Sequence, residues 1–304
     1  MAPSRQSAEV CRWVSLKEAL TAFVQASDGT QGQRHILPMH WYVACRLVLE
    51  GGFHPDWITP RPPFVVASRG RTRILHYEPE SAGGGEATVF GGLKTKDIDV
   101  VVNIPVLGPC VAVSMKGTLN AFRNLTNRLE EAVGDCTNIH IAYSALVYGF
   151  LHLFRANRPG PLAPGSDFPG DADGSVLHKD LAIGSDGLVA DFIRNYEQAM
   201  ARLTGRRDLR DDVSRYEAIG LLLVNPYERN IGQVEAALGF PAPGLKFDGF
   251  FETLYRQYDL RFVYGAANLR SRTQRLTWDP ASPALESPLI SEFTPREWTP
   301  RVSE

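Results

Sequence analysis

Apolar and polar positions change rhythm several times along this chain, and the changes mark its elements. A helix is predicted over about Ser7 to Gln25, and a second begins at Pro38, a residue tolerated at the first helical position. The second runs through HWYVACRLVLE and stops at Gly51-Gly52, where a left-handed cap is easy. After the proline-rich FHPDWITPRPP, Phe64 to Ala67 and Arg73 to Tyr77 read as strands, and Ser81 to Glu86 as a flexible glycine loop. Lys96 to Asn103 alternates, and Cys110 to Lys116 is short and β-branched, so the two predict a strand pair. A helix follows from about Asn120 to Val133, ended by Gly134. Ile139 to Phe154 is apolar throughout and predicts a buried strand running into a further strand or helix.

Asn157 to Gly174, rich in Pro and Gly, predicts an exposed loop. Beyond it, a helix capped by Ser185 or Asp186 extends to about Leu203, with Leu188, Phe192, Met200 and Leu203 near one stripe. A buried strand is expected at Ala218 to Val224, helices at Glu228 to Leu238 and Asp248 to Tyr258, and a strand at Leu260 to Tyr264. Such alternation implies an α/β fold with helices on both faces of one sheet. The expected organisation is an N-terminal part over 1–80, a core over 86–278 with an inserted loop at 157–174, and an extended tail over 279–304, together one compact domain.

Composition narrows the function. Of 304 residues, 44% are hydrophobic and 22% charged, enough apolar chain to bury a core, so disorder is excluded as the main state. Lys and Arg number 32 against 34 Asp and Glu, which argues against bulk attraction to nucleic acid or membrane and leaves only a local patch. The 4 cysteines make no C-x-x-C pair, which points away from a zinc knuckle and toward a reduced, cytoplasmic chain. MAPSRQSAEVCRW lacks the apolar core of a signal peptide, and Ile141 to Phe154 is too short for a membrane span.

Candidate chemistry gathers on the strand pair. With a period of two, Asp97, Asp99 and Val101 share a face of the first strand, and Ala112, Ser114 and Lys116 share a face of the second, which could be the same side of the sheet. A carboxylate and a lysine aimed into one cleft suit phosphodiester hydrolysis, the carboxylate holding Mg²⁺ and the lysine positioning the attacking water. On a wheel of about 100° per residue, Glu130 falls at the edge of the following helix's apolar stripe, with Arg123 and Asn127, whereas Glu131 points to solvent and Arg128 to the other flank. A serine hydrolase using Ser114 and Lys116 is disfavoured, since alternate strand residues lie about 7 Å apart.

The order Asp99, then Ser114-Met115-Lys116, then Glu130 resembles the PD-(D/E)xK fold of type II restriction endonucleases, in the variant whose second acid has moved from the strand to the following helix. KGTLNAFRNLTNRLEEA is similar to the group that cuts CCGG-containing sites, with Thr118, Arg123, Arg128 and Glu130 at its Thr, Arg, Arg and Glu. The matched residues span about Lys96 to Val133. Two features depart from that group: Asn120-Ala121-Phe122 stands where it reads bases, and the proline before the first acid is missing, so Asp97 competes with Asp99.

The resemblance implies a PD-(D/E)xK core, a mixed sheet flanked by helices, and Mg²⁺-dependent cleavage of double-stranded DNA by a homodimer or tetramer. It assigns the metal to Asp99 and Glu130 with the Met115 carbonyl, charge stabilisation to Lys116, and support to Ser114. DNA contacts are expected from Thr118, Arg123, Asn127 and Arg128, and from the basic cluster of Arg270, Arg272 and Arg275. Glu50 is a minor candidate for a further ligand; His40, His140 and His152 read as core or rim histidines, and Asp167, Asp171 and Asp173 as a solvated turn. The alternatives are a non-catalytic DNA-binding subunit of a defence system with a degenerate core, or a nonspecific or methyl-dependent nuclease.

Overall fold

The computed structural model describes residues 9–25, 35–69, 72–163, 170–237 and 239–296. Ser7, Asp167, Leu238 and the end of the tail, named above, lie outside the described residues.

The first two helices are α1 (Leu16–Val24) and α2 (Leu37–Leu49). Ser15 closes a capping box with Glu18 at the start of α1, and α2 runs into Gly52, whose φ of +67 supplies the left-handed exit. Strands β1 (Ile58–Thr59), β2 (Phe64–Arg69) and β3 (Thr72–Tyr77) follow, and β2 pairs with β3 in a separate antiparallel hairpin. The expected Lys96–Asn103 strand is in fact two, because the chain bends at Asp99. One half, β5 (Thr95–Ile98), pairs antiparallel with β4 (Ala87–Phe90), and the other is β6 (Val100–Ile104).

The central sheet is mixed, in the order β1-β6-β7-β8-β9, with β7 at Gly108–Thr118, β8 at Val147–Arg155 and β9 at Ala218–Val224. β1 and β7 run antiparallel to β6, and β7, β8 and β9 are mutually parallel. A bulge between Val102 and Asn103 interrupts the β6–β7 ladder. Since β1 belongs to this sheet, the N-terminal segment contributes to the same core as the rest of the chain.

Parallel neighbours need crossover connections, and two helices supply them: α3 (Leu125–Ala142) between β7 and β8, and α4 (Asp191–Leu203) between β8 and β9. Alternation along β7 builds both layers. Val111, Val113 and Met115 join α1, α2 and the C-terminal helix α5 (Phe250–Tyr258), whereas Ala112 lies in the cluster formed with α3 and α4.

Further predicted elements differ: the first helix begins only at Leu16, and Ile139 to Ala142 completes α3 before β8 starts at Val147. Helix α3 continues through Gly134 to Ala142, since packing of Cys136 and Ile139 outweighs the glycine's cost of about 1 kcal/mol. α4 starts at Asp191 rather than at Ser185 or Asp186, and it buries Ile193, Tyr196 and Met200 while Leu188 and Phe192 are exposed. Glu228 to Leu238 contains a short turn of helix (Glu228–Asn230) and then extended chain bridged to Val224. Leu260 to Tyr264 is a π-helical continuation of α5, followed by the short helix α6 (Arg270–Thr273). No helix among the described residues is long and apolar enough to cross a membrane.

The loop between β7 and α3 is fixed from beneath. Buried Asp180 accepts the Ala121 N–H at 2.6 Å, and Asn157 Nδ2 donates to the carbonyls of Leu119 and Asp180. This holds Ala121 at φ +53, a left-handed conformation that disfavours any side chain by roughly 1–2 kcal/mol. Ala121→Gly should therefore raise stability by about 1 kcal/mol, read as a later urea midpoint at unchanged slope.

Candidate metal centre

Asp99 sits at the bend where the chain leaves the β4–β5 hairpin for the central sheet. Its Oδ2 accepts the Met115 N–H from β7 at 2.6 Å, which turns the carboxylate toward the strand carrying Ser114 and Lys116. A polar cleft of about 310 Å³ opens there, lined by Glu86, Lys94, Thr95, Lys96, Asp97, Asp99, Ser114 and Lys116. The structure thus gathers three of the sequence candidates, Asp99, Ser114 and Lys116, in one cleft.

Two further side chains complete the group. His40, near the start of α2, places Nε2 3.4 Å from Asp99 Oδ1, and Glu86, at the root of β4, adds a second carboxylate. One ligand atom from each of His40, Glu86 and Asp99 lies within 4.8 Å of the others. His40 is 1% exposed, and its Nε2 has no hydrogen-bond partner. A buried polar atom normally has one, so an imidazole nitrogen aimed at two carboxylates fits a cation between them. Burial lowers the His40 pKa to about 4, against the pull of Glu86, so the ring is a neutral donor at physiological pH. Burial also raises the Asp99 pKa, opposed by the Met115 amide and the Lys116 charge. A divalent ion relieves that desolvation cost.

Asp97 lies apart from this trio: exposed on β5, it accepts a 2.6 Å hydrogen bond from Thr88 Oγ1. Ser114 Oγ is bonded to Tyr148 Oη at 2.7 Å in a buried setting, a supporting contact rather than a nucleophile–base pair. Met115 enters through its N–H; its side chain is core.

Glu130 is not brought in. It is exposed on α3 and is neither among the cleft residues nor in the cation group. Its expected orientation assumed a helix running from Asn120 to Val133. Over the real helix the buried stripe is Leu125, Ala132, Cys136 and Ile139, and Glu130 lies on nearly the opposite side. Asp135 instead faces the hairpin, pairing with Lys96 Nζ at 2.6 Å.

The DNA-binding candidates scatter. Arg123 is exposed in the short turn before α3, beside Leu129 and Phe192; Asn127 is exposed one turn on, and Arg128 pairs with Glu131 at 2.8 Å. Thr118 Oγ1 bonds His152 Nε2 at 2.8 Å near the end of β7. Arg270 lies over the Tyr264 ring, and Arg272 lines a cavity with Ile104, Pro105 and Val106, at the opposite end of β6 from Asp99. Arg275 is structural, forked onto Asp259 and donating to the Gly51 carbonyl. Glu50 pairs with Arg46 at 3.1 Å.

In the sequence His40 reads as a core or rim histidine and Glu86 as the end of a glycine loop, because neither falls in the strand–strand–helix segment that carries the resemblance. The available signals were slight: a histidine inside a mostly apolar second helix, and an acid directly after three glycines. Compared with protein-family models, curated proteins and solved structures, the chain matched none.

Proposed function

We propose that this chain is a divalent-metal-dependent endodeoxyribonuclease of the type II restriction kind, with a PD-(D/E)xK-like core whose cation is held by His40, Glu86 and Asp99. The observation that carries the reading is the clustering of these three, with Glu86, Asp99 and Lys116 lining one polar cleft and the buried His40 Nε2 3.4 Å from Asp99. The order of elements supports it: an antiparallel pair with Asp99 at the bend before its first strand and Lys116 on its second, then α3, then a parallel strand.

A divalent cation bound there supplies a Lewis acid and lowers the pKa of coordinated water. Lys116 offers a positive charge to the non-bridging oxygens of a phosphodiester and orients a water for in-line attack. The Met115 amide fixes Asp99 in place, and Ser114 ties β7 to β8 through Tyr148. Mg²⁺ prefers all-oxygen ligands, whereas an imidazole also welcomes transition ions, so Mn²⁺ should serve at least as well as Mg²⁺. Duplex DNA is cut in both strands by pairing two copies, hence a homodimer or a tetramer.

The test is incubation with plasmid DNA and Mg²⁺ or Mn²⁺. Discrete fragments support the reading; a smear indicates a nonspecific nuclease, and a gel shift with no cutting by either ion indicates a DNA-binding subunit. Glu86→Gln and Glu130→Gln separate the two ligand sets. We expect roughly 100-fold or greater loss for Glu86→Gln and less than a few-fold for Glu130→Gln; the reverse pattern would restore Glu130 as the ligand.

A further inference from the structure

We propose that the β4–β5 hairpin is the arm that enters the major groove of duplex DNA beside the scissile phosphate, with Phe90 and Leu93 as its apolar contacts and Lys94 as a phosphate contact. This rests on the nuclease reading above.

The hairpin's root is the metal centre itself. Glu86 immediately precedes β4, Asp99 immediately follows β5, and the pairing begins with Ala87 opposite Ile98. From that root the ribbon extends outside the central sheet to the turn Gly91-Gly92-Leu93-Lys94. At about 3.3 Å per residue the tip stands roughly 13 Å from the carboxylates. A phosphodiester held at Asp99 therefore places the tip over the adjacent groove, and the major groove, about 12 Å wide, admits a two-stranded ribbon.

The tip is apolar yet uncovered: Phe90 is 74% exposed and Leu93 77% exposed. It is also rigid. Asn138 of α3 accepts the N–H groups of Leu93 and Lys94 on its Oδ1, donates Nδ2 to the Lys94 carbonyl, and accepts the Gly92 N–H on its own carbonyl. Glycine is required for that fit, because a Cβ on Gly91 would stand 2.2 Å from Asn138 Nδ2 and one on Gly92 2.2 Å from Ile141 Cγ2. A turn clamped from beneath, with two large apolar side chains turned out to solvent, is preorganised for contact. Charge bears on the partner through Lys94, 67% exposed at the tip with its Nζ 4.0 Å from Asp135 Oδ1: Lys96 is held by Asp135 at 2.6 Å and Lys116 faces the carboxylates of the cleft, so of these three Lys94 is the cation left to meet a phosphate backbone. Apolar side chains in the major groove meet thymine methyl groups, so the hairpin would contribute to sequence preference.

The double variant Phe90→Ala/Leu93→Ala tests this, with Lys94→Ala alongside. Affinity is read by fluorescence anisotropy on a labelled duplex, and chemistry by Mn²⁺-dependent hydrolysis of bis(4-nitrophenyl) phosphate, which is too small to touch the tip. The double variant should bind duplex at least tenfold more weakly and hydrolyse the small diester within twofold of wild type. Lys94→Ala should reduce the salt dependence of binding by about one counterion. Wild-type affinity in the double variant, or equal loss on the small diester, overturns the proposal, as does dissociation of a wild-type dimer into monomers in sedimentation, which would make the tip a subunit contact. A wild type that binds duplex but cuts neither substrate refutes the nuclease reading alone, and affinity then decides the hairpin's role.

Discussion

Asp99→Asn should abolish cation binding and lower DNA cleavage by roughly 10³-fold or more, while the melting temperature in chelator stays level or rises. The asymmetry follows from the site. Asp99 is held in a setting that resists its charge, since burial is the largest influence on its pKa and acts upward. An amide keeps the oxygen that accepts the Met115 N–H and removes the desolvated charge, so the apo fold loses nothing. Lys116→Ala should behave differently. Removing a positive charge from the cleft leaves ion binding intact or tightened, yet costs on the order of 10²-fold in turnover through lost charge stabilisation. Calorimetric titration with Mn²⁺ beside a cleavage assay distinguishes the two. If Asp99→Asn binds Mn²⁺ as wild type does, the cation is held elsewhere; if it melts well below wild type, Asp99 is structural.

Acid should destabilise the fold through two buried histidines. His140 is packed between α3 and the sheet, its Nδ1 donating to the Val213 carbonyl, and burial lowers its pKa to about 3, with the Arg206 charge next. His152 on β8 is fully buried between Thr118 Oγ1 and Tyr196 Oη, and burial pushes its pKa well below 6.5. Both folded-state values lie below the unfolded one. The unfolded chain therefore binds more protons below about pH 6.5, and stability present above that pH is lost as the solution is acidified toward 4. Each imidazole contributes a slope of about 1.4 kcal/mol per pH unit once past the unfolded pKa. Between pH 7.5 and 5 the pair should remove roughly 3–4 kcal/mol, seen as an earlier urea midpoint. Glu217 acts in the other direction, its pKa being raised by burial, so the imidazoles should also be followed singly. In ¹³C-labelled protein both rings should remain neutral at pH 5; a protonated ring at that pH contradicts its burial.

The periodic parts of the fold were legible in the sequence and the turn-dependent parts were not. β7 and β9 declare themselves by β-branched and aliphatic runs, and α2 by its proline entry and glycine exit, whereas the apolar run Ile139 to Phe154 divides between the end of α3 and β8, a division no period marks. By contrast, the π-helix at Asp259–Tyr264 has a strand's composition, and only its continuity with α5 reveals it. At the site, Asp99, Ser114 and Lys116 were accessible because strand alternation and adjacency put them together. Glu86 and His40 depended on contacts between segments far apart in the chain, which no local period encodes. Glu130 lies away from the cleft because the short turn at Phe122–Asn124 delays α3 and takes Phe122 out of the helix wheel that oriented it.

The bulge between Val102 and Asn103 bears on more than the shape of the β6–β7 pair. Side chains on β7 alternate between two apolar layers, so a slip of one residue would turn Lys116 and Ser114 toward the wrong layer and carry the Met115 amide away from Asp99. An extra residue on one strand gives the ladder a single seat, as a keyway fixes a shaft. Cation binding at the proposed site then becomes a proofreading signal for folding: a misregistered molecule would retain its helices and most of its sheet and still leave that site unformed, so refolded material is better scored by cation uptake than by circular dichroism.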